Sequence, residues 1–232
     1  MRPRNILVIL LFLLLTTLCF AQQEWVSRYD VYTGYSFLQT PKLGLFENGF
    51  NGEFGVNVKP WVALGGDFSI FTGNSHVVPD QLSTKVQGDL LPALQQIWQI
   101  DPTYKFIAPY DATTYTFSAG PQINFRQMKA ITFFVRPALG ALHQTVKVNT
   151  SNPFTQQLVT GLLGPTMKKD DTVVFYGFGG GMDFNLSKRI GVRTAADYVH
   201  YDLFSGTLNG AENTVRFSIG PTFRFGPNIV KK

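Results

Sequence analysis

From Tyr29 onward the chain alternates apolar and polar residues in eight segments, separated by turn-rich stretches. A period of two places successive side chains on opposite faces of a β-strand. In the first segment Tyr29, Val31, Thr33, Tyr35 and Phe37 share one face, with Asp30, Tyr32, Gly34 and Ser36 on the other. The second sets Phe50, Gly52, Phe54, Val56 and Val58 against Asn51, Glu53, Gly55 and Asn57. The third opposes Val62, Leu64, Gly66, Phe68 and Ile70 to Ala63, Gly65, Asp67 and Ser69. Five further segments begin near Tyr115, Ile131, Val174, Ile190 and Val215. Each is close to the roughly 9–11 residues that a tilted strand needs to cross a bilayer.

The placement of charge decides what the two faces meet. The apolar register of every segment is free of charge. The opposite register holds Asp30, Glu53, Asp67, Asp183 and Asp197 together with Arg136, Arg193, Arg216 and Arg224. Lys59, at the end of the second segment, would make five bases against five acids. An Arg or Lys facing lipid at mid-bilayer costs about 2–4 kcal/mol, whereas a lumen tolerates it. An eight-stranded barrel is just wide enough for side chains to fill its interior. Acids and bases enclosed there are expected to pair, because an unpaired buried charge is costly. Arg193 and Asp197 lie four apart on one strand, about 13 Å along it, so each needs partners on other strands.

The connections alternate in length. Short turns fall at 59–60, 126–130 and 187–189, and long ones at 39–49, 72–112, 147–171 and 202–212. Short periplasmic turns with long outer loops are the expected signature of an outer-membrane barrel. Aromatic residues form two bands: Trp61, Phe125, Phe133, Phe184 and Phe225 near the short turns, and Phe37, Phe50, Tyr115, Tyr176 and Tyr198 nearer the long loops. Pro121, Pro137 and Pro221 fall inside strands, where β-bulges or local distortions are expected. Two near copies, Phe117-Ser118-Ala119-Gly120-Pro121 and Phe217-Ser218-Ile219-Gly220-Pro221, occupy the fourth and eighth segments. The rival is a soluble lipid-carrying barrel with the apolar face inward. Its polar face should then be rich in Lys and Glu, whereas Gly, Ser, Asn and Thr dominate here.

Composition agrees with a wall that does not face water: charged residues are 15% of the chain and aromatics 14%, against about 25% charged in soluble domains. The first residues read as a secretion leader, residues 1–21, with Arg2 and Arg4 before an apolar run and small Ala21 at its end. Residues 22–232 then form one barrel domain. Of 20 basic residues two fall in the leader, leaving 18 against 15 acidic ones, too mild an excess for nucleic acid. Cys19 is the only cysteine and also lies in the leader, so no disulfide or thiolate metal site is expected.

These features together resemble the small eight-stranded outer-membrane proteins of the OmpA/OmpX type, and the outer-membrane β-barrel domain proteins that occur alone. The resemblance rests on the leader, the eight alternating segments, the Gly- and aromatic-rich turns and the closing Phe223-Arg224-Phe225. It implies an all-β fold: an eight-stranded antiparallel up-and-down transmembrane barrel with long outer loops, one containing short helices. It also implies the cell outer membrane, with its lipids including lipopolysaccharide and the barrel assembly machinery as partners. Family members commonly end on an aromatic residue, whereas Phe225 here is followed by seven more residues.

Candidate chemistry is sparse. In the long second loop Leu82, Val86, Leu90, Leu94, Ile97 and Trp98 recur at helical spacing, with Gly88 and Pro92 expected to divide two short helices that fold over the barrel rim. His143 and His200 fall by register on the lipid face near the outer rim. The positions two residues from them hold Ala141, Thr145, Tyr198 and Asp202, so the His–Ser pair of outer-membrane lipid deacylases is not matched. Gly179-Gly180-Gly181 lacks the Lys-Ser/Thr of a phosphate loop and lies within a strand. No catalytic residue, cofactor or metal is therefore assigned. The expected function is a non-enzymatic barrel acting in envelope structure or surface interactions through its loops, with a loop partner that the sequence does not identify. A narrow pore and an outer-leaflet lipid-modifying enzyme are the alternatives.

Overall fold

The computed structural model describes residues 23–230; the expected leader and Cys19 lie outside them. Eight antiparallel strands follow one another: β1 (Ser27–Thr40), β2 (Leu45–Lys59), β3 (Val62–Val77), β4 (Ala108–Phe125), β5 (Ile131–Val148), β6 (Lys168–Asn185), β7 (Ile190–Tyr201) and β8 (Glu212–Asn228). Each pairs with its sequence neighbours, and β8 returns to β1, closing an up-and-down barrel. Closure leaves no strand edge, as a span through hydrocarbon requires.

Register carries one face around the whole wall. Tyr35 stands opposite Phe50, Phe50 opposite Ile70, Ile70 opposite Tyr115, and Tyr115 opposite His143. The outward Phe68 and Phe117 are 52% and 59% exposed, while the inward Asp67 and Asp197 are 4% and 1% exposed. That inverts the arrangement of a water-soluble barrel and disposes of the soluble rival.

The strands are longer than the sequence pattern indicates, from 12 residues in β7 to 18 in β4. Their outer ends also change character. On β3 the outward series runs Val62, Leu64, Phe68, Ile70 and then turns polar at Thr72, Asn74 and His76. On β4 the outward residues beyond Tyr115 are Thr113 and Asp111, while the inward ones are Ala112, Tyr110 and Ala108, all buried. Above the apolar band the same strands therefore point polar groups outward and apolar groups inward. This upper storey is a second core, in which Leu43, Leu82, Phe106, Val148, Phe175 and Phe204 belong to one buried cluster.

The extension consumes much of the expected loops. The 39–49 connection shrinks to a tight turn around the 3₁₀ segment Pro41–Leu43, closed by Gly44 at φ 57, a left-handed conformation that glycine adopts without strain. In the 72–112 connection a 3₁₀ turn at Pro79–Gln81 leads into one continuous α-helix, α1 (Thr84–Ile100), which is not divided at Gly88 or Pro92. Proline in a helix interior costs about 3 kcal/mol, and α1 runs through Pro92 because Val86, Leu90, Leu94 and Ile97 all bury against the upper core. Ser83 caps it, its Oγ accepting from Val86 N–H at 3.4 Å. A second helix, α2 (Pro153–Leu163), stands in the 147–171 connection with Asn152 as its N-cap.

The three strand prolines are accommodated without bulges. Between Ser118–Gly140 and Ile123–Val135 the β4–β5 pairing lapses and resumes in the same register, and Pro121 and Pro137 both lie in the gap. The β1–β8 pairing lapses likewise between Tyr32–Thr222 and Tyr35–Ile219, across Pro221. The missing N–H groups are thus met by local lapses that preserve alternation. Register shifts occur instead at Ser27/Tyr29 and Asn57/Lys59, at the periplasmic rim.

Candidate functional site

The lumen is occupied by charge. Period two turns Asp30, Glu53, Asp67, Arg136, Asp183, Arg193, Asp197, Arg216 and Arg224 inward, and the structure brings all nine into one chain of ion pairs. Arg216 joins Asp67 (Nη1–Oδ1 2.7 Å) to Asp197 (Nη2–Oδ2 2.8 Å). Arg136 joins Asp197 (3.1 Å) to Glu53 (2.8 Å). Arg193 joins Glu53 (2.6 Å) to Asp183 (2.7 Å), with Asp30 at 3.8 Å. Arg224 closes the series on Asp183 at 3.2 Å. Arg193 and Asp197 do find their partners on other strands.

These pairs cross the barrel rather than follow its wall. Glu53 on β2 reaches β5 and β7, and Asp67 on β3 reaches β8, so opposite staves are tied through the lumen. Arg–carboxylate pairs with two donors each are the strong, geometrically specific kind; Arg193 gives Nε and Nη2 to the two oxygens of Asp183 at 2.7 and 3.1 Å. The guanidinium of Arg193 also lies 4.8 Å from the ring centre of the buried Phe134. Space for this comes from the small residues opposite: a Cβ on Gly179 would overlap Asp197 Oδ1. Within the Gly179-Gly180-Gly181 run, Gly179 thus leaves the recess that seats the Asp197 carboxylate, and Gly181 leaves room for the Phe134 ring.

One expectation fails at the periplasmic rim. Lys59 is exposed, pairs across with the outward Val62, and lies 5.8 Å from the Trp61 ring. The bulge at Asn57/Lys59 inserts one extra residue, which reverses the alternation and swings its side chain out of the lumen. Its place is taken by Arg126, from the β4–β5 turn. Arg126 donates to Pro60 O (2.8 Å), Gln23 Oε1 (3.2 Å) and Asn57 Oδ1 (3.1 Å), and Asn57 passes the contact on to Asp30 at 3.0 Å. Burial, and after it the nearby Arg224, hold the Arg126 guanidinium down at about 10.

A polar layer above the network was not legible as a site. Glu47 and Glu212 are both fully buried. Thr114 Oγ1 donates to Glu47 Oε1 at 2.8 Å, and Gln144 Nε2 donates to Thr114 at 2.7 Å. Glu212 pairs with Lys42 at 3.3 Å, and Tyr201, Thr40 and Thr214 join their hydroxyls beside them. Continuing the inward parity of β2 past Asn51 and Gly49 would have found Glu47.

His143 and His200 sit on the outer wall at the upper edge of the apolar band. His143 Nδ1 meets Thr172 Oγ1 and His200 Nδ1 meets Asn213 Oδ1, each at 2.8 Å. Their rings lie beside Tyr115 and Tyr176, at 6.4 and 5.2 Å between centres. Interfacial aromatic and amphipathic side chains take such positions.

Comparison with known proteins follows the geometry. Residues 7–225 match the family described as outer membrane protein beta-barrel domain. No curated protein matches the sequence significantly. Among solved structures, Ail, the attachment invasion locus protein of Yersinia pestis, in complex with the heparin analogue sucrose octasulfate, is 16% identical, with 86% of this chain and 97% of that one covered and a TM-score of 0.47. OprG of Pseudomonas aeruginosa is 11% identical over 89% and 99% at a TM-score of 0.47. Neisserial surface protein A is 12% identical over 85% and 96% at 0.46.

Proposed function

We propose, because this chain belongs to the outer membrane protein beta-barrel domain family, that it is a non-enzymatic scaffold with a closed lumen, contributing to envelope structure and presenting its outer storey for surface interactions. It resides in the outer membrane. Residues 1–21 serve as the secretion leader, the barrel assembly machinery inserts the remainder, and lipopolysaccharide surrounds the outer half of the wall.

The observation that carries this reading is the set of ion pairs crossing the lumen. Glu53 and Asp67 are held by guanidinium groups from β5, β7 and β8. A solute would have to break several buried pairs to pass, and removing one partner of such a pair costs about 3–5 kcal/mol. The neutral partners of His143 and His200, Thr172 and Asn213, support a positional role for those rings.

Single-channel recording tests the reading. Purified barrel in a planar bilayer is expected to give no discrete conductance. Steady unitary currents whose size changes on Arg136→Gln or Arg193→Gln would replace the scaffold with the pore.

A further inference from the structure

The polar layer beneath the apolar cap holds one acid that no base balances. The five carboxylates of the lumen network are matched by its four arginines together with Arg126. Glu212 has Lys42 at 3.3 Å. Glu47 is the acid left over: it is 0% exposed, and among the described residues its one hydrogen-bond partner is the Thr114 hydroxyl. An ionised carboxylate so removed from water is costly enough that such a group takes up a proton instead.

The hydrogen bonds fix where that proton sits. Gln144 Nε2 donates to Thr114 Oγ1 at 2.7 Å, which leaves the threonine hydroxyl to donate to Glu47 Oε1 at 2.8 Å. Oε1 is therefore an acceptor, and Oε2, buried without a hydrogen bond, is the oxygen open to protonation. Glu47 stands past the apolar band, opposite Gly73 and one step beyond Thr72 on β3. Burial there pushes its carboxyl up to about 7, outweighing the opposing effect of the Thr114 hydrogen bond. No neighbouring element brings an uncommitted cation: Arg216 on β8 is divided between Asp67 and Asp197, Lys42 is on Glu212, and Lys169 on β6 turns to Thr207. The phenols of Tyr110 on β4 and Tyr201 on β7 also face this layer, and burial pushes both of them up. β1, β3 and β5 bring the uncharged Leu38, Gly73 and Gln144 to the same level, and α1 buries no charged residue.

We infer that Glu47 is a proton-binding site of the folded barrel: Oε2 carries a proton, which passes to water when the outer ends of the strands open. Closure of the upper storey is thus coupled to proton uptake. A carboxyl held above its ordinary 4.5 contributes stability that is fully present below that value and is lost as the pH rises through about 7. The cap is therefore tightest in acid and loosens toward alkaline pH.

The test uses the full barrel in lipid vesicles beside Glu47→Gln, which keeps the shape of the side chain without its titrating proton. Between about pH 5 and about pH 8, urea titrations should show the wild-type folding equilibrium falling on the order of a hundredfold further than that of the variant. Glu212 titrates in both proteins and cancels. Infrared difference spectra over the same interval should show the carbonyl of a protonated carboxylic acid in the wild type, lost at the higher pH and missing from Glu47→Gln. Thr114→Val keeps Glu47 but removes the hydrogen bond to its charged form, so the midpoint of that loss should move to higher pH; this comparison decides alone if gel migration shows Glu47→Gln unfolded. Equal pH dependence in wild type and Glu47→Gln, a carbonyl band that persists in the variant, or a midpoint unmoved in Thr114→Val would each overturn the assignment. So would a carboxylate already ionised at about pH 5 with stability that follows sodium or potassium concentration, which would make the site one for a metal cation. None of these outcomes depends on whether the lumen conducts.

Discussion

Asp197 shows how much one position in the lumen depends on its neighbours. It accepts from Arg136 and Arg216 together, and its carboxylate lies in the space left by the missing side chain of Gly179. Gly179→Ala should displace the carboxylate from both guanidinium groups and lower the unfolding free energy by about 3 kcal/mol, read by urea titration in vesicles. Arg126 and Lys59 form a sharper comparison, since strand parity turns both inward: β4 carries it without interruption through Asn124 to Arg126, whereas the bulge after Asn57 reverses it for Lys59. In the same assay Arg126→Gln should cost about 2 kcal/mol for its charged hydrogen bonds, and Lys59→Gln less than about 1 kcal/mol as an exposed cation beside Trp61. Equal losses would return Lys59 to the lumen. Nine interior charges were legible because burial of charge in hydrocarbon forces a strict alternation. Arg126 escaped notice because it lies one residue past the end of β4, and the parity that places it inward was not continued beyond the strand.

Each strand serves two environments in succession. Along β3 the outward face passes from Phe68 and Ile70, against lipid, to Thr72, Asn74 and His76, against water. An arginine in place of Phe68 should therefore destabilise by about 2–4 kcal/mol, and one in place of Thr72 by no more than about 1 kcal/mol, with refolding equilibria in vesicles as the readout. The membrane halves of all eight strands were visible in the sequence because apolar-out alternation is unbroken there. The outer ends were not, since the pattern reverses phase above Ile70 and Tyr115 and so reads as the end of a strand while the pairing continues. The helix α2 had a usable signal, Asn152-Pro153 at its start and Phe154, Leu158, Val159 and Leu162 along one side. The unity of α1 had none, because it depends on burial against a core built from distant loops.

The molecule as a whole is a closed cylinder with two interiors. Within the membrane, acids and bases tie opposite staves together; above it, an apolar core joins the loops and helices into a cap. Both follow from one physical requirement, that each section of wall present to its surroundings what those surroundings tolerate. The most direct test is a nitroxide scan of the outward positions of β3, namely 62, 64, 66, 68, 70, 72, 74 and 76, in reconstituted bilayers, comparing relaxation by oxygen with relaxation by a water-soluble nickel complex. Labels at 62–70 should respond mainly to oxygen, and those at 72–76 to nickel, with the crossover between Ile70 and Thr72. Nickel access at Leu64 or Phe68 equal to that at His76 would mean that this face meets water, and the arrangement described for the barrel would be wrong.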